Sequence, residues 1–311
     1  MAILVIDIGG TNTRCALFEP ATNRLASLKK YRNHDHTDFW DILTTYLETI
    51  EVQPDALCLD LAGPVANGAA RLTNIDWTIT EDALRERTGI QQVKIINDLV
   101  AMGLSLQHLP DHGLRTLRAG DIAPFDNGQS LVINLGTGFN ICPVKDIPKP
   151  IAMAVEAGHA ATPFDILHAM QDYMPAEKAA AFDTVEKCFA GRRLASLHAA
   201  LGHQGDDAAQ IVDAAMGGNA DAAQTLRLFQ KMLGLYVGSM ALNHLPQRGI
   251  YFAGSVARGA LSFEAAEHFF EALSKERLFQ DRIDAMPIHI MTLDEAPLLG
   301  SAEMAQQLFD L

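Results

Sequence analysis

The sequence predicts a two-domain α/β protein with a mixed sheet in each domain, and three observations predict it. The chain has 311 residues, a length that suggests two domains. A strand, a glycine-rich turn and a return strand occur at Ile3–Phe18 and again at Ser130–Val144, so the second half repeats the logic of the first without repeating its residues. Beyond the second turn the chain becomes mostly helical, with short apolar strands between the helices.

In order along the chain, Ile3-Leu4-Val5-Ile6 is a β-branched apolar run long enough for a buried strand. Thr13–Phe18 reads as its return strand and Arg24–Tyr31 as a third. Asp38–Ile50 has helical spacing, with Phe39, Leu43, Tyr46 and Leu47 on one face. Ala56–Leu61 is a strand that ends at Ala62-Gly63-Pro64. Thr80–Arg87 reads as a short helix with Thr80 as N-cap and Glu81 and Asp82 in the first turn; Ala83 stands where a capping box would need Glu or Gln. Val93–Ile96 is a short strand followed directly by Asn97-Asp98.

Leu109–Gly128, rich in Gly, Pro and Asp, reads as a loop and as the region of the domain crossing. The strands Ser130–Ile133 and Ile141–Val144 flank the second glycine turn. Asn219–Leu245 reads as a long helix stopped by Pro246, with Leu226, Phe229, Leu233 and Val237 on one face. Gly234 and Gly238 within it each cost about 1 kcal/mol relative to Ala, which close packing of a neighbour would explain. Gly249–Ala253 and Ile288–Met291 are buried strands. Ala296–Leu308 is a closing helix with Pro297 near its start, where proline is tolerated. The smaller domain takes residues 1–110 with the closing helix 296–311, and the larger takes 111–295.

Composition narrows the function. Apolar residues make up 49% of the chain, enough for substantial cores, and charged residues 20%. A net charge of −14 argues against a nucleic-acid or anionic-membrane partner, which would need a basic patch. A nucleotide remains compatible, because Mg²⁺ and backbone N–H groups can carry phosphate charge locally. Cys15, Cys58, Cys142 and Cys188 are far apart and form no zinc pattern, as in a reduced cytosolic chain. With no leader-like segment and no apolar run of membrane length, the expected location is cytoplasmic.

The chemistry is concentrated in a few short stretches. In Asp7-Ile8-Gly9-Gly10-Thr11-Asn12 a carboxylate closes the strand, and two residues without Cβ atoms let a ligand approach their N–H groups. Asp7 is placed to face a metal, directly or through water. A tight hairpin turn with an incidental Asp is the plainer reading. The stretch from Asp7 to Arg14 is neither a Walker-type loop nor a dinucleotide fingerprint. Asp98, at a strand end, suits a general base that takes a proton from an attacking alcohol; taken singly Asn97 or Asp98 better suits a helix N-cap, and both hold if cap and base are different residues. Glu156-Ala157-Gly158-His159 sets a carboxylate and an imidazole to face one polar ligand, or forms a solvated turn. Glu186 alone reads as a surface residue. Gly254, between a strand and a helix, permits a flat ligand against the backbone or makes an ordinary turn. Trp77 suits core packing better than stacking on a ligand.

The order of these stretches resembles the bacterial, hexokinase-like glucokinase family of the sugar-kinase, Hsp70 and actin superfamily. Asp7–Asn12, Gly63-Pro64, Thr73-Asn74 to Trp77, Ile96-Asn97-Asp98, Gly136-Thr137-Gly138, Glu156–His159, Glu186, Ala253-Gly254 and Pro297–Ala302 follow in the family's sequence order over essentially the whole chain. The cysteine-rich zinc motif of the repressor/ORF/kinase family is missing. The resemblance implies a two-domain actin-like ATPase (ribonuclease H-like) fold with the active site in the interdomain cleft. It implies ATP-dependent phosphorylation of D-glucose at C6, with Asp98 as catalytic base and Asn97, Asp98, Glu156, His159 and Glu186 on the sugar. Asp7, Gly9, Gly10, Thr11 and Asn12 would meet the ATP phosphates, with Asp7 on Mg²⁺ through water. Gly136, Thr137 and Gly138 would form a second phosphate clamp, and Gly254 would lie near the adenosine. It also implies a homodimer.

Several positions depart from the family pattern. Asn134 and Asn140 replace the outer glycines of the second phosphate motif. Ala157 stands for a usual Gly, Ala190-Gly191-Arg192-Arg193 stands for Ser-Gly-Pro-Gly, and Ser255 follows Gly254. A kinase for fructose, mannose or an N-acetylated amino sugar therefore stays open, as does a sugar-binding regulator without catalysis. A filament-forming or chaperone-like ATPase fits poorly, since the sugar-facing residues would have no ligand.

Overall fold

A computed structural model describes residues 1–72, 75–205, 207–275 and 278–309. The chain forms two compact units, Met1–Pro110 with Leu293–Leu311, and Asp111–Thr292.

The first unit is built on β1 (Ile3–Ile8), β2 (Asn12–Glu19), β3 (Arg24–Arg32) and β4 (Ala56–Leu61). A small sheet follows, of β5 (Val65–Ala66), β6 (Ala69–Arg71) and β7 (Thr78–Thr80), and β8 (Gln92–Asn97) completes the large sheet. The large sheet has the order β3-β2-β1-β4-β8, antiparallel through the first three strands and parallel through the last three. All six residues of β1 and all six of β4 are buried, as expected of parallel strands covered on both faces.

The two-residue period of the strands divides them between two cores. Leu4, Ile6, Ile8, Leu57, Leu59 and Leu61 pack with Phe39, Ile42, Leu43 and Tyr46 of the helix Phe39–Leu47. Ile3, Val5, Ala56 and Cys58 pack with Leu298, Ala302 and Ala305 of the closing helix Ala296–Phe309. That helix lies so close to the helix Asp98–Leu104 that a Cβ at Gly300 would collide with the Ala101 carbonyl oxygen. The helix Glu81–Thr88 begins as its sequence reads: the Thr80 hydroxyl accepts from the Ala83 N–H at 3.1 Å.

Two carboxylates share the face that the closing helix covers. β1 and β4 pair in register Ile3↔Ala56, Val5↔Cys58 and Asp7↔Asp60, so Asp7 and Asp60 are neighbours. Both are buried. The Ser301 hydroxyl of the closing helix donates to Asp60 Oδ2 at 2.7 Å. Burial pushes the Asp60 carboxyl well above its ordinary range, and the Asp7 charge adds to the effect. That shift favours the protonated form of Asp60, and its buried Oδ1, which has no donor of its own, is the oxygen on which a proton would face Asp7.

The second unit carries β9 (Leu114–Arg118), β10 (Gln129–Leu135), β11 (Phe139–Lys145), β12 (Ile151–Ala152), β13 (Gly249–Ala253) and β14 (Ile288–Met291). Their order is β12-β11-β10-β13-β14-β9. β10 and β11 form a hairpin, β13 and β14 run parallel to β10, and β9 pairs antiparallel on β14. This hairpin-then-parallel pattern is the same as that of β2-β1-β4-β8 in the first unit. The Leu109–Gly128 segment corrects the sequence reading, because it contains β9. Leu114-Arg-Thr-Leu-Arg has three polar residues in five, and its partner on the sheet edge, not its own pattern, makes it a strand.

The helix Ala220–His244 runs through this unit's core, capped by Asn219, whose side chain accepts from the Ala222 N–H, and ended by Leu245 in a left-handed conformation before Pro246. Leu226, Phe229, Leu233 and Val237 are fully buried. A Cβ at Gly234 would strike the Phe269 carbonyl, so close approach of the helix Glu267–Leu273 accounts for that glycine. Among the described residues no helix is long and apolar enough to cross a membrane.

Because folding raises the Asp60 pKa, the native state holds a proton that the unfolded chain releases above about pH 4, and stability falls as pH rises from there. Asp60→Asn keeps an acceptor for Ser301 and a donor towards Asp7 without a charge. The variant should gain on the wild type as pH is raised from about 4 in urea unfolding. Parallel stability curves would show that Asp60 is not held neutral.

Candidate active site

In the first unit the predicted phosphate residues form the β1–β2 turn. The Gly9 N–H donates to the Asn12 carbonyl at 2.9 Å, closing the hairpin. The turn is held from beneath by Asn33, a buried residue that the sequence reading passed over. Its N–H donates to the Thr11 carbonyl at 2.9 Å and its Nδ2 to the Gly9 carbonyl at 2.9 Å. Its Oδ1 accepts from the Thr13 hydroxyl at 2.8 Å. One amide thus ties both sides of the turn, and no local pattern around Asn33 signals it. Gly10, Thr11 and Asn33 line a cavity of 390 Å³ with His36 and Trp77. Trp77 also packs against the apolar core, the role the sequence reading favours for it. Thr73 and Asn74 lie outside the described residues.

Asp7 and Arg14 are cross-strand partners in the hairpin, and Arg14 Nη1 donates to Asp7 Oδ2 at 2.6 Å. Burial raises the Asp7 pKa, and the Arg14 charge and hydrogen bond oppose that rise.

Asn97 and Asp98 divide the duties that the sequence left open between them. Asn97 ends β8 and is the N-cap: its Oδ1 accepts from the Leu99 N–H at 3.0 Å and the Val100 N–H at 3.4 Å. Its Nδ2 donates to the Gly63 carbonyl at 3.1 Å, which ties the cap to the Gly63-Pro64 stretch. The protein itself therefore uses both ends of the Asn97 amide. Asp98 is the first residue of the helix, and its Oδ1 accepts from the Leu99 N–H at 2.9 Å. Burial pushes the Asp98 carboxyl up to about 7, with the Asp7 charge adding and the Leu99 N–H opposing. Register explains the proximity, since Asp7, Asp60 and Ile96 stand side by side on three adjacent strands and Asp98 follows two residues later.

In the second unit Gly136, Thr137 and Gly138 make the β10–β11 turn, closed by the Gly136 N–H on the Gly138 carbonyl at 3.1 Å. Phe139 anchors it from the core, with its ring 5.4 Å from those of Phe189 and Tyr236. The Gly136 carbonyl accepts from the Gly191 N–H at 2.8 Å, which fixes the start of the helix Gly191–Ala200 beside the turn. Gly254 sits at φ +92°, and a Cβ there would collide with the Leu135 carbonyl, so the β13 end and the β10 end meet backbone to backbone. Gly136, Thr137, Arg192, Asp207, Ser255 and Val256 are among the residues lining a cavity of 420 Å³.

Glu156, His159 and Glu186, the residues of this unit expected to face a sugar, lie on segments around the same turn. Asn140 organises the approach to Glu156. Its Nδ2 donates to the Val155 carbonyl at 2.6 Å and to Glu156 Oε2 at 3.3 Å, while its Oδ1 accepts from the Ala157 N–H at 3.0 Å. Glu156 and His159 are exposed at either end of the turn. Between them Gly158 presses on β11, where a Cβ would collide with the Phe139 carbonyl. Glu186 lies in the helix Val185–Phe189, which is bound to the 160–162 segment by the Val185 N–H on the Ala160 carbonyl and the Thr162 N–H on the Asp183 carbonyl. Glu186 therefore stands beside both Gly138 and Gly158. Its Oε1 accepts from Arg192 Nη2 at 2.6 Å, a pairing absent from the sequence reading.

Truncation of Asn33 tests the first turn. Asn33→Ala leaves the Gly9 carbonyl and the Thr13 hydroxyl without their buried partners, a loss of about 1–3 kcal/mol in unfolding free energy. Nucleotide binding, measured by calorimetry, should weaken as well. Unchanged stability would remove Asn33 from this role.

The family model described as glucokinase matches residues 4–308. The chain is 30% identical over 315 aligned positions to a glucokinase of Caulobacter vibrioides, covering 96% of this chain and 93% of that protein. It resembles the structure of a glucokinase from an Antarctic psychrotroph with TM-score 0.85 and 26% identity, over 98% and 99% of the two chains. It also resembles a ROK family glucokinase from Streptomyces griseus, solved with glucose and AMPPNP, with TM-score 0.67 and 18% identity over 99% and 100%. These likenesses show the two-domain, actin-like sugar-kinase fold. With a family match over nearly its whole length, and with the strand-end carboxylates and paired glycine turns described above, the chain belongs to the glucokinase family.

Proposed function

We propose that the chain transfers the γ-phosphoryl group of ATP to the C6 hydroxyl of a hexose, D-glucose first, with Asp98 as general base. The observation that carries this reading is the Asp98 carboxyl, raised to about 7 at the start of a helix. A base works best with a pKa near the operating pH, where it is ionised yet still takes up a proton. The Streptomyces griseus relative, solved with glucose and AMPPNP, supports the substrate pair. The reading requires that the residues of both units serve one such pair.

Each residue then has a task. Asp98 accepts the C6 hydroxyl proton as the oxygen attacks phosphorus. Asn97 orients the helix that carries Asp98 and has one Nδ2 hydrogen left for a sugar oxygen. Glu156, His159 and Glu186 bond the remaining hydroxyls. The N–H groups of Gly9, Gly10, Thr11 and Asn12, and those of Gly136, Thr137 and Gly138, hold phosphate oxygens. Gly254 leaves room beside the Ser255 end of the 420 Å³ cavity for the adenosine.

The residues also suit Mg²⁺. A hydrated Mg²⁺ takes one or two carboxylates with the substrate's phosphates, and the Asp7 carboxylate near the end of β1 would supply one. Asp7 would hold the ion through water. Bound there, Mg²⁺ supplies charge neutralisation of the phosphate oxygens.

A different hexose is the second reading, favoured by Ala157 and Asn140 at the Glu156 turn, which change the family's setting of that carboxylate. A coupled assay of ADP release against a panel of hexoses decides between them. Glucose turnover that is absent with 6-deoxyglucose supports the C6 acceptor. Preference for another hexose reassigns the pocket, and sugar binding without turnover points to a regulator.

The base must be ionised to act, so kcat/KM should rise with pH along a limb centred near 7. Asp98→Ala should lower kcat by about 10²–10⁴ with the fold intact. A flat profile, or full turnover in the variant, would remove Asp98 from its role. Glu156→Gln should raise KM for the sugar more than for ATP; an equal rise in both would make Glu156 a structural residue.

A further inference from the structure

We propose that Arg192 couples nucleotide binding to sugar binding by exchanging its partner, holding Glu186 when no nucleotide is present and a nucleotide phosphate when one is. The inference rests on the proposed kinase function. Its residues all belong to the second unit.

The position of Arg192 is unusual in two ways. It lines the 420 Å³ cavity together with Gly136 and Thr137, the backbone of the second phosphate clamp. Its guanidinium is nevertheless turned to Glu186, with Nη2 2.6 Å from Oε1. Two other carboxylates, Asp207 and Asp213, line the same cavity. Arg192 pairs with the one assigned to the sugar. The opposite oxygen of that carboxylate, Oε2, faces Gly138, 3.8 Å from where a Cβ on that residue would stand. One ion pair therefore joins the phosphate clamp to a sugar ligand.

The pair is built to be exchanged. The Arg192 side chain is 61% exposed and that of Glu186 22%, so solvent screens the attraction and a stronger acceptor can displace it. A phosphate offers several anionic oxygens and accepts bidentate hydrogen bonds from a guanidinium. While Arg192 holds Oε1, a sugar hydroxyl must compete for Glu186. Once a phosphate takes the guanidinium, both Glu186 oxygens are free to accept from the sugar. Linkage requires the converse: sugar binding favours release of Arg192 and so strengthens nucleotide binding by the same factor.

Neither neighbouring arginine nor backbone can substitute. Arg193 lines a separate cavity with Lys178 and Lys187 and has a buried Nε without a partner, so it faces away from the clamp. The Gly191 N–H is already bonded to the Gly136 carbonyl.

The test is calorimetric titration of glucose into the full chain, with and without saturating Mg²⁺ and AMPPNP, for the wild type, Arg192→Ala and Arg192→Lys. In the wild type the nucleotide should tighten glucose binding by about fivefold or more. In Arg192→Ala, glucose should bind the nucleotide-free protein more tightly than it binds the wild type, AMPPNP should bind more weakly, and the coupling should fall towards unity. Arg192→Lys should retain part of the coupling, which a purely structural role would not predict. Equal coupling in the wild type and Arg192→Ala overturns the proposal while leaving the kinase reading in place. Absence of hexose binding and turnover in the wild type overturns the kinase reading and this proposal with it.

Discussion

Parallel register places three carboxylates at the same end of one sheet, and the first unit depends on how their mutual repulsion is managed. Asp7 and Asp60 face each other across β1 and β4, and Asp98 follows the adjacent β8. Like charges so close in a buried setting cannot all ionise freely. Three different solutions are used. Arg14 compensates Asp7, the Ser301 hydroxyl bonds Asp60 while burial shifts that carboxyl towards its protonated form, and the Asp98 carboxyl is pushed up to about 7. The closing helix takes part directly, since Ser301 reaches Asp60 and Gly300 permits the close approach to Ala101. The residue proposed as base is thus tuned by groups far from it in sequence.

The second unit uses backbone where the first uses charge. Its glycine turn is flanked by contacts too close for a Cβ: Gly158 on the Phe139 carbonyl and Gly254 on the Leu135 carbonyl. Phe139, Phe189, Phe229 and Tyr236 form an aromatic cluster beneath the turn, and close packing of such rings resists displacement. Rigid support below and exposed polar groups above suit a surface that must hold a ligand in one geometry. Asn140 extends that support to the 155–157 segment with three hydrogen bonds.

Much of the fold could be read from local patterns. The strands Ala56–Leu61, Gly249–Ala253 and Ile288–Met291 appear with the bounds their apolar runs suggest, and Thr80 and Asn219 cap the helices they precede. These elements are legible because burial and capping leave marks within a few residues. β9 is not legible, since an edge strand with a mixed face carries no alternation. Of the candidate site, the glycine turns and strand-end Asp98 stand out because their residue types are unusual at those places. Asp60 left one signal, a lone carboxylate inside an apolar run. Asn33 left none.

The sequence by itself determined the pieces: two hairpins with glycine turns, a carboxylate at the end of each relevant strand, and the order in which they occur. These follow from local propensity and from residue chemistry, which do not depend on distant contacts. Tertiary structure alone decided which groups meet. It placed Asn33 under the first turn from 20 residues beyond Thr13, Ser301 on Asp60 from 241 residues away, and Arg192 on Glu186 across the start of a helix. It also decided protonation, because a pKa depends on burial and on neighbouring charge, and both are properties of the packed chain.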